Sequence, residues 1–426
     1  MKIKTLIILL AVAVLSQSCT ATRAFTYWGP NITDHKIFAH DEITSSDSAF
    51  LFKAGNDDSV KNYVVSTQKG SDTLRLSLDD YLKTTTTTAF LVIRNDSILY
   101  ESYFKGYTRD SISKVFSVSK SITSLLTGIA VDEGYIESVN DPVTKYIPEL
   151  KKKDPYFQQL TIEHLLNMRA GFKFNENSYF PTSKATHLYY GTNHLGKVKR
   201  VKFAYKPGEK HQYQSLVTAL LGVAVERATG KSLSSYLQEK VWTPMGMENR
   251  ATWDIDDRRH RSNKAHVGVN TTAIDLAKIG RLYINNGNWN GKQIVSADWI
   301  AKSVTPNTDN EGYQYQWYSF GTFIPNPEKN HIHPKFKLSC FTDSLSVRKF
   351  VEEKYPDSKY VEISPLRNDR NYWCLSIYPN EKSQLAAIGI MQQLLFVDPK
   401  KNIIVVRLGE KGDVHPSFIR SIIQKL

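Results

Sequence analysis

The chain contains a serine and a lysine whose spacing suits nucleophilic catalysis. Ser117 and Lys120 stand three positions apart, and the sequence from 116 to 121 reads FSVSKS. On a helix, residues three apart emerge on the same face, so the lysine amine can reach the serine oxygen. A lysine in partly desolvated surroundings has a lowered pKa and can accept a proton at neutral pH, which activates an adjacent hydroxyl. The pair therefore predicts an acylation centre.

The residues that follow Ser117 distinguish it from other serines with a lysine three positions on. The same spacing occurs in polar, strand-like or loop stretches at Ser66, Ser102, Ser111 and Ser346. After Ser117, apolar residues recur with helical periodicity until Gly134, a typical stop signal. These apolar positions are Val118, Ile122, Leu125, Leu126, Ile129 and Ala130. The pattern predicts a mostly buried helix with a polar start. The alternative is that Ser117 only caps a free N–H at that start.

Strand patterns at both ends of the chain enclose a mainly helical middle. Two β-rich segments around Asn95-Asp96 predict a hairpin, and two further strands are expected at 393–397 and 403–408. Helices are expected at 162–168, 216–228, 274–284 and 417–426. We therefore predict an α/β (α+β) fold, in which an antiparallel β-sheet built from both chain ends is flanked by helices and carries an inserted, mainly helical lobe over about 141–299. A cleft between sheet and lobe is the expected location of a site.

The motifs around Ser117 resemble those of the serine β-lactamase and penicillin-binding-protein superfamily. The resemblance covers about 85–320 and 385–410, and within the superfamily it points to the class C-like branch, which also holds esterases and 6-aminohexanoate-oligomer hydrolases. The first family motif is a Ser-x-x-Lys, matched by Ser117 and Lys120. The second is a Tyr-x-Asn or Tyr-x-Ser, matched by Tyr213-Gln214-Ser215. The resemblance implies a β-lactamase/transpeptidase-like fold.

The third family motif departs from the usual pattern. The strand reads AIGIMQQ over 387–393, whereas the family has Lys-Thr-Gly, His-x-Gly or, in the oligomer-hydrolase branch, Gly-Ile-His-Gly-Gln. Gly389, Ile390 and Gln393 fit the last of these patterns, and the two residues between 390 and 393 do not. The chemistry needs a backbone N–H aimed at the developing oxyanion, which Ile390 supplies whatever its side chain, together with the N–H of Ser117.

The resemblance implies an enzyme, a serine hydrolase that works through a covalent acyl-enzyme on Ser117. Lys120 is expected to take the proton of Ser117. Tyr213, kept partly ionised by the charge of Lys120, is expected to protonate the leaving group and then to help a water attack the acyl bond. The alternative for Tyr213 is an aromatic side chain packed under a loop. Ser215 and Gly389 are predicted to bind substrate, and neither a cofactor nor a metal is expected.

The residues beside Gly389 indicate the substrate class. A lysine there would pair with the free carboxylate of a β-lactam or of a D-Ala-D-Ala terminus, and this sequence has none at that place. We therefore predict an esterase or amidase that acts on a small-molecule or peptide-like acyl substrate. Two alternatives stay open. One is a penicillin-binding peptidase or β-lactamase acting on cell-wall peptides or β-lactams, and the other is a catalytically degenerate envelope binding protein.

The composition and the first residues predict an exported globular protein. The 426 residues are 41% hydrophobic, enough for a substantial core, and the formal net charge of +13 is spread along the chain without a nucleic-acid-binding motif. A basic start and an apolar run from Leu6 to Leu15 predict a signal peptide over 1–19, because the run is too short to span a bilayer. Cys19 resembles the lipidated cysteine of bacterial lipoproteins, and plain signal cleavage nearby is the alternative. We expect an envelope lipoprotein that faces the periplasm or the cell surface and is anchored to the membrane by lipid at Cys19.

Two further segments flank or interrupt the predicted hydrolase domain, which spans 85–426. Residues 20–84 are polar and are predicted to form an irregular N-terminal extension. An insertion over about 320–383, rich in charged and aromatic residues, is interpreted as a lid, a binding wall or a decoration. Its two cysteines, Cys340 and Cys374, could pair in an oxidising compartment or stay free.

Two motifs that imitate functional sites are interpreted as structural. Glu163 stands in a Glu-x-x-Leu-Asn-like run, but it precedes the tyrosine motif and lies in a helix-like context. His331 and His333 fall on one strand face, yet no further ligand run follows, so a zinc site is not predicted.

Overall fold

The computed structural model describes residues 20–55, 60–69, 72–176, 180–310, 312–324, 327, 340–366, 369–378 and 384–426. The predicted signal peptide, with Cys19, lies outside the described residues. The same is true of His331 and His333.

Helices in the described residues are mostly short, and two of them are long and buried. Their bounds are α1 (Thr20–Tyr27), α2 (Leu78–Thr84), α3 (Val118–Asp132), α4 (Val143–Tyr146), α5 (Ile162–Leu166), α6 (Lys184–Tyr190), α7 (His194–Val198), α8 (Ser215–Thr229), α9 (Leu233–Leu237), α10 (Ala273–Ile284), α11 (Ala297–Val304), α12 (Ser344–Lys354) and α13 (Pro416–Lys425). None of the helices in the described residues is long and apolar enough to cross a bilayer.

The strands form one large sheet and several small ones. Their bounds are β1 (His40–Ile43), β2 (Lys53–Ala54), β3 (Val64–Lys69), β4 (Asp72–Ser77), β5 (Thr87–Arg94), β6 (Ser97–Tyr103), β7 (Ser113–Lys114), β8 (Ala251–Asp254), β9 (Val269–Thr271), β10 (Asn288–Trp289), β11 (Lys292–Gln293), β12 (Tyr313–Gln314), β13 (Trp317–Ser319), β14 (Thr322–Ile324), β15 (Tyr360–Leu366), β16 (Asp369–Tyr378), β17 (Leu385–Gly389), β18 (Gln393–Asp398) and β19 (Ile403–Gly409).

The large sheet joins the two ends of the chain, as predicted. Its strand order is β12-β13-β17-β18-β19-β5-β6-β2. Neighbouring strands are antiparallel except β2 and β6, which run parallel. The strands from the two chain ends meet where β19 pairs with β5. The register of this pairing runs from Ile403 opposite Arg94 to Gly409 opposite Thr87. The predicted antiparallel sheet, built from both chain ends and flanked by helices, is therefore confirmed.

Both faces of this sheet are covered by helices because its central strands are apolar on both sides. In β5, Phe90 and Val92 pack on one face with apolar residues of α2 and α13. Leu91 and Ile93 pack on the opposite face with α3, α8 and α10. All residues of α3 from Val118 to Ala130 are buried. This helix is therefore enclosed on every side, as expected of a helix in the centre of a large core.

The N-terminal extension is not irregular, contrary to the prediction from its polar composition. It contains α1, α2 and four strands, and β1 pairs with β8 in a second sheet of order β1-β8-β9-β7. Ile43 lies opposite Ala251 in that pairing. The partner of β1 lies about two hundred positions away along the chain, and β2 pairs with β6, so local composition does not reveal these pairings.

The described part of the insertion forms a small unit of its own. It contains a sheet of order β14-β16-β15, and α12 and this sheet share a small apolar core. A bridge between Phe341 and Trp373 runs antiparallel, which sets Cys340 opposite Cys374 in the backbone register. The pairing of these two cysteines stays a prediction.

Candidate active site

The start of α3 brings an amine to the Ser117 hydroxyl. Ser117 stands immediately before the first residue of α3, and its side chain makes no capping hydrogen bond to the helix. Lys120 Nζ lies 2.8 Å from Ser117 Oγ and donates a hydrogen bond to it. Lys120 is almost completely buried, with 1% of its surface exposed, whereas Ser117 is only half-buried. The serine is therefore accessible to a substrate, and its oxygen contacts a base instead of capping the helix.

The environment of Lys120 makes that amine a usable base. Nζ also donates to the carbonyl oxygen of His266 at 3.1 Å and to Ser215 Oγ at 3.1 Å. Burial lowers the pKa of Lys120 to about 8, and the carboxylate of Glu176 opposes this shift. Because a buried ammonium loses hydration that its neighbours only partly replace, the neutral amine is favoured.

Tyr213 lies close to Lys120, beside the predicted nucleophile Ser117. Lys120 Nζ lies 4.9 Å from the centre of the Tyr213 ring, and the neighbouring Ser117 side chain acts to lower the pKa of the phenol. Burial, followed by the phenols of Tyr318 and Tyr313, raises the pKa of Tyr213 well above its usual value. The phenol is therefore neutral near pH 7, contrary to the partial ionisation expected from the charge of Lys120. A neutral phenol is a proton donor, as protonation of a leaving group requires.

We expect Tyr213→Phe to lower kcat for ester hydrolysis by about 10²- to 10³-fold, because the ring still packs but the proton donor is lost. Steady-state kinetics, with mass spectrometry of the intact protein during turnover, measures the effect. The matched control is Tyr313→Phe, since the Tyr313 ring packs 5.9 Å from that of Tyr213 and its hydroxyl contacts Gln316. Equal losses in both variants would contradict a role for the Tyr213 hydroxyl.

Glu176 anchors the second motif from a loop. The backbone N–H and the hydroxyl of Ser215, the first residue of α8, both donate to the Glu176 carboxylate. Burial raises the pKa of Glu176, and the charge of Lys120 counteracts that effect. Lys120, Ser215 and Glu176 thus form a connected polar chain. This arrangement gives Ser215 a part in holding Lys120, and its predicted contact with substrate stays a prediction.

We expect Glu176→Gln to move the acidic limb of the kcat/KM profile to lower pH. Removing the negative charge takes away the contribution that raises the pKa of Lys120, so the neutral amine persists in more acidic solution. The measurement is kcat/KM against pH for a nitrophenyl ester. Glu209→Gln is the control, because Glu209 is an exposed glutamate in the turn before Tyr213. A limb that stays in place in Glu176→Gln would show that this carboxylate does not tune the base.

The end of β17 passes close to the two residues that precede Ser117. A Cβ atom added to Gly389 would lie 2.4 Å from the carbonyl oxygen of Val115 and 3.3 Å from Cβ of Phe116. Only a glycine allows the strand to pass this near to the residues preceding Ser117. Gly389 and Ser117, predicted as members of one site, are thus brought together, and Ile390 follows at the edge of the same contact.

Arg407 holds the unusual third motif in shape. Met391 and Gln392 have positive φ angles of 62° and 57°, in a short 3₁₀ turn over Ile390–Gln392. Nη1 of Arg407 donates to the carbonyl oxygens of Met391 at 2.6 Å and of Gln392 at 3.2 Å. Because two strained residues need outside support, this buried guanidinium stabilises the turn that contains Ile390.

The N-terminal extension packs against Phe116, the residue that precedes Ser117. Ala24, Ile32 and Phe38 form one apolar cluster with Phe116, and Ile390 packs against its edge. Phe116 has a positive φ of 49°, which is unusual for a bulky residue. The extension therefore helps to fix the backbone immediately before Ser117.

Comparisons with known proteins agree with this geometry. Residues 78–419 match the family model described as Beta-lactamase. The chain belongs to the Beta-lactamase family. It is 26% identical over 351 residues to a 6-aminohexanoate-dimer hydrolase of Paenarthrobacter ureafaciens, covering 79% of this chain and 76% of the relative. It is 25% identical over 238 residues to the D-alanyl-D-alanine-carboxypeptidase/endopeptidase AmpH of Escherichia coli, covering 50% of this chain and 59% of that protein.

A solved structure shows the same fold. A Bacillus anthracis protein proposed to be a 6-aminohexanoate-dimer hydrolase superposes with a TM-score of 0.68 at 20% identity, covering 92% of this chain and 90% of the other. The predicted superfamily, fold and enzyme class are confirmed, and this Beta-lactamase-family member is a serine hydrolase.

Other polar groups of this Beta-lactamase-family chain have structural partners. Glu163 accepts hydrogen bonds from Tyr315 and from Asn167, which tie the end of α5 to β12. Elsewhere, three possible ligand atoms lie within 4.8 Å of one another, on Asp256, Asp257 and His260. The carboxylates of this cluster already accept backbone hydrogen bonds, and we assign it no part in the chemistry.

Proposed function

We propose that this chain is an exported serine hydrolase that cleaves an ester or amide bond of a small acyl compound through an acyl-enzyme on Ser117. The observation that carries the proposal is the 2.8 Å contact between Lys120 Nζ and Ser117 Oγ, made by a buried lysine with a lowered pKa. A serine hydroxyl with a positioned base is the arrangement that nucleophilic acyl transfer requires.

In the first half of the reaction, Ser117 Oγ attacks the carbonyl carbon and Lys120 takes the hydroxyl proton. Backbone N–H groups of Ser117 and Ile390 bind the resulting oxyanion. The tetrahedral intermediate then collapses, the bond to the leaving group breaks, and Tyr213 gives that group its proton. The products of this half are the acyl-enzyme, the protonated leaving group, a lysine ammonium and a phenolate.

In the second half, the Tyr213 phenolate takes a proton from water and the oxygen of that water attacks the acyl carbon. Collapse of the second intermediate releases the acid, and Ser117 recovers its proton from Lys120. Each residue returns to its starting protonation state. The balance is one water consumed for each bond cleaved.

The substrate is a small ester or amide in preference to a β-lactam. Ala387, Ile388 and Gly389 offer no cation for a substrate carboxylate, and the nearby Arg407 is already engaged by backbone carbonyls and by Asp413. The 26% identity to a protein named as a 6-aminohexanoate-dimer hydrolase supports an amide substrate. The match to AmpH keeps cell-wall peptides as the second candidate.

Covalent labelling tests the proposal. Purified protein treated with a nitrophenyl ester or a fluorophosphonate should gain one adduct, mapped to Ser117 by peptide mass spectrometry. Esterase activity without labelling by fluorescent penicillin supports the small-acyl reading, whereas penicillin labelling favours the peptidase or β-lactamase alternative. Absence of both adduct and turnover would favour the binding-protein alternative.

We propose that the protein is a lipoprotein of the bacterial envelope, held at the membrane by Cys19. The sequence pattern of 1–19 supports export, and α1, which follows it, exposes Phe25 and Tyr27, with Trp28 just beyond. Aromatic side chains of this kind favour the membrane–water interface. Fractionation of cells that express the full chain, with Cys19→Ser as comparison, tests the anchor. Equal release of both proteins into the soluble fraction would overturn it.

A further inference from the structure

A cationic pocket lies next to the segment that carries Glu176. The pocket has a volume of about 490 Å³, and five basic side chains line it: Lys173, Lys184, Lys197, Arg200 and Lys202. No carboxylate is found among its described lining residues. A concave surface of one charge sign concentrates the electrostatic potential and attracts ions of the opposite sign.

These cations are not neutralised by ion pairs within the described chain. The neighbouring Lys199 does pair with Glu149 at 3.3 Å, but Lys184 Nζ only donates to the backbone oxygen of Lys173. Lys197 Nζ donates to a backbone oxygen as well. Burial, reinforced by Arg200 and opposed by Asp256, lowers the pKa of Lys197. Binding of an anion would relieve the mutual repulsion of this group.

The inner wall of the pocket is apolar. Phe174 and Leu216 are buried there, with 8% and 1% of their surfaces exposed, and Val201 lies beside them. A second cavity of about 540 Å³ differs, because Glu226 and Asp256 line it together with basic residues. The cationic pocket thus combines an apolar floor with positive charges that no ion pair among the described residues neutralises.

We propose that this pocket binds an anionic group, a carboxylate or a phosphate, attached to an apolar moiety. Its walls are continuous with the second catalytic motif. Leu216 follows Ser215 directly, and the carbonyl oxygen of Phe174 accepts a hydrogen bond of 2.8 Å from Gln214. The anion belongs either to a distal part of the acyl substrate or to a separate small ligand. The binding itself does not depend on the chemistry at Ser117.

Calorimetric titration of the full protein tests the binding. Octyl phosphate below its micellar concentration is expected to bind with a stoichiometry of one to one. The double variant Lys184→Gln/Lys202→Gln should raise the Kd for octyl phosphate by at least about tenfold, because two charge-assisted contacts are lost. The matched control is Lys151→Gln/Lys152→Gln, which removes the same charge from exposed lysines elsewhere. Equal affinity of octanol, equal loss in both double variants, or no saturable binding would overturn the proposal.

Kinetics with two esters identify the source of the anion. A nitrophenyl ester with a terminal carboxylate and its counterpart with a terminal primary amide have nearly the same size and differ in that charge. If the anion is part of the substrate, the carboxylate ester has the lower KM and the Lys184→Gln/Lys202→Gln variant removes that difference. If the anion is a separate ligand, octyl phosphate binds while the two esters have equal KM values. Either result, together with the titration, supports the site.

Discussion

Ser117→Ala is expected to reduce ester turnover by more than about 10⁴-fold and to abolish the acyl adduct, because it removes the oxygen that forms the proposed covalent bond. The side chain makes no capping bond to α3, so its removal should leave the helix intact. The wild-type protein and the variant are compared in three measurements. Initial rates give the activity, the mass of the adduct reports the covalent step, and circular dichroism reports the fold.

The matched control for this variant is Ser119→Ala. Ser119 belongs to the same helix start, but its hydroxyl accepts a hydrogen bond of 3.0 Å from the backbone of Val269. Its loss should affect stability and leave the adduct on Ser117. An adduct that persists in Ser117→Ala, or that maps to another residue in the wild-type protein, would show that the nucleophile has been misassigned.

The parts of this site that the sequence predicts are those set by short-range patterns. Ser117 and Lys120 meet because helical spacing alone brings residues three apart to one face, and the contact is 2.8 Å. The strands expected at 393–397 and 403–408 are found at Gln393–Asp398 and Ile403–Gly409. Short continuous runs of apolar and β-branched residues, bounded by clear turn residues, determine such elements locally.

Glu176 could not be predicted, because its role depends on packing between distant segments. It stands between two asparagines in a polar stretch, where a glutamate usually faces solvent. Only the fold places it against Ser215, 39 positions later. Ser215 has the shorter of the two side chains that the Tyr-x-Asn or Tyr-x-Ser motif allows, which leaves space for a further acceptor without indicating which residue supplies it.

Arg407 is easier to recognise from the sequence as an unusual residue. It is the charged residue within the apolar strand Ile403–Gly409, and its side chain is fully buried. A buried guanidinium must have several acceptors, and the departures at Met391 and Gln392 supply two carbonyl oxygens. The unusual residues of the third motif therefore provide the acceptors that the buried arginine requires, and the arginine in turn stabilises their backbone.

Lys120→Met is expected to lower kcat/KM by about 10²- to 10⁴-fold and to remove the rise in activity with pH. In the wild-type protein the amine must be neutral to accept the Ser117 proton, and burial lowers the pKa of Lys120 to about 8. Activity should therefore climb about tenfold per pH unit below pH 8 and level off above it. Compared with an exposed lysine, this shift makes the neutral base about 300-fold more abundant at pH 7.

Lys264→Met is the control that decides whether the pH limb belongs to Lys120. Lys264 is also fully buried, burial lowers its pKa to about 7, and its Nζ donates to the backbone oxygen of Tyr189, so it titrates in the same range without contacting Ser117. The limb should persist in Lys264→Met and disappear in Lys120→Met. The opposite pattern would assign the pH dependence to Lys264. The base that accepts the Ser117 proton would then have to be a group other than Lys120.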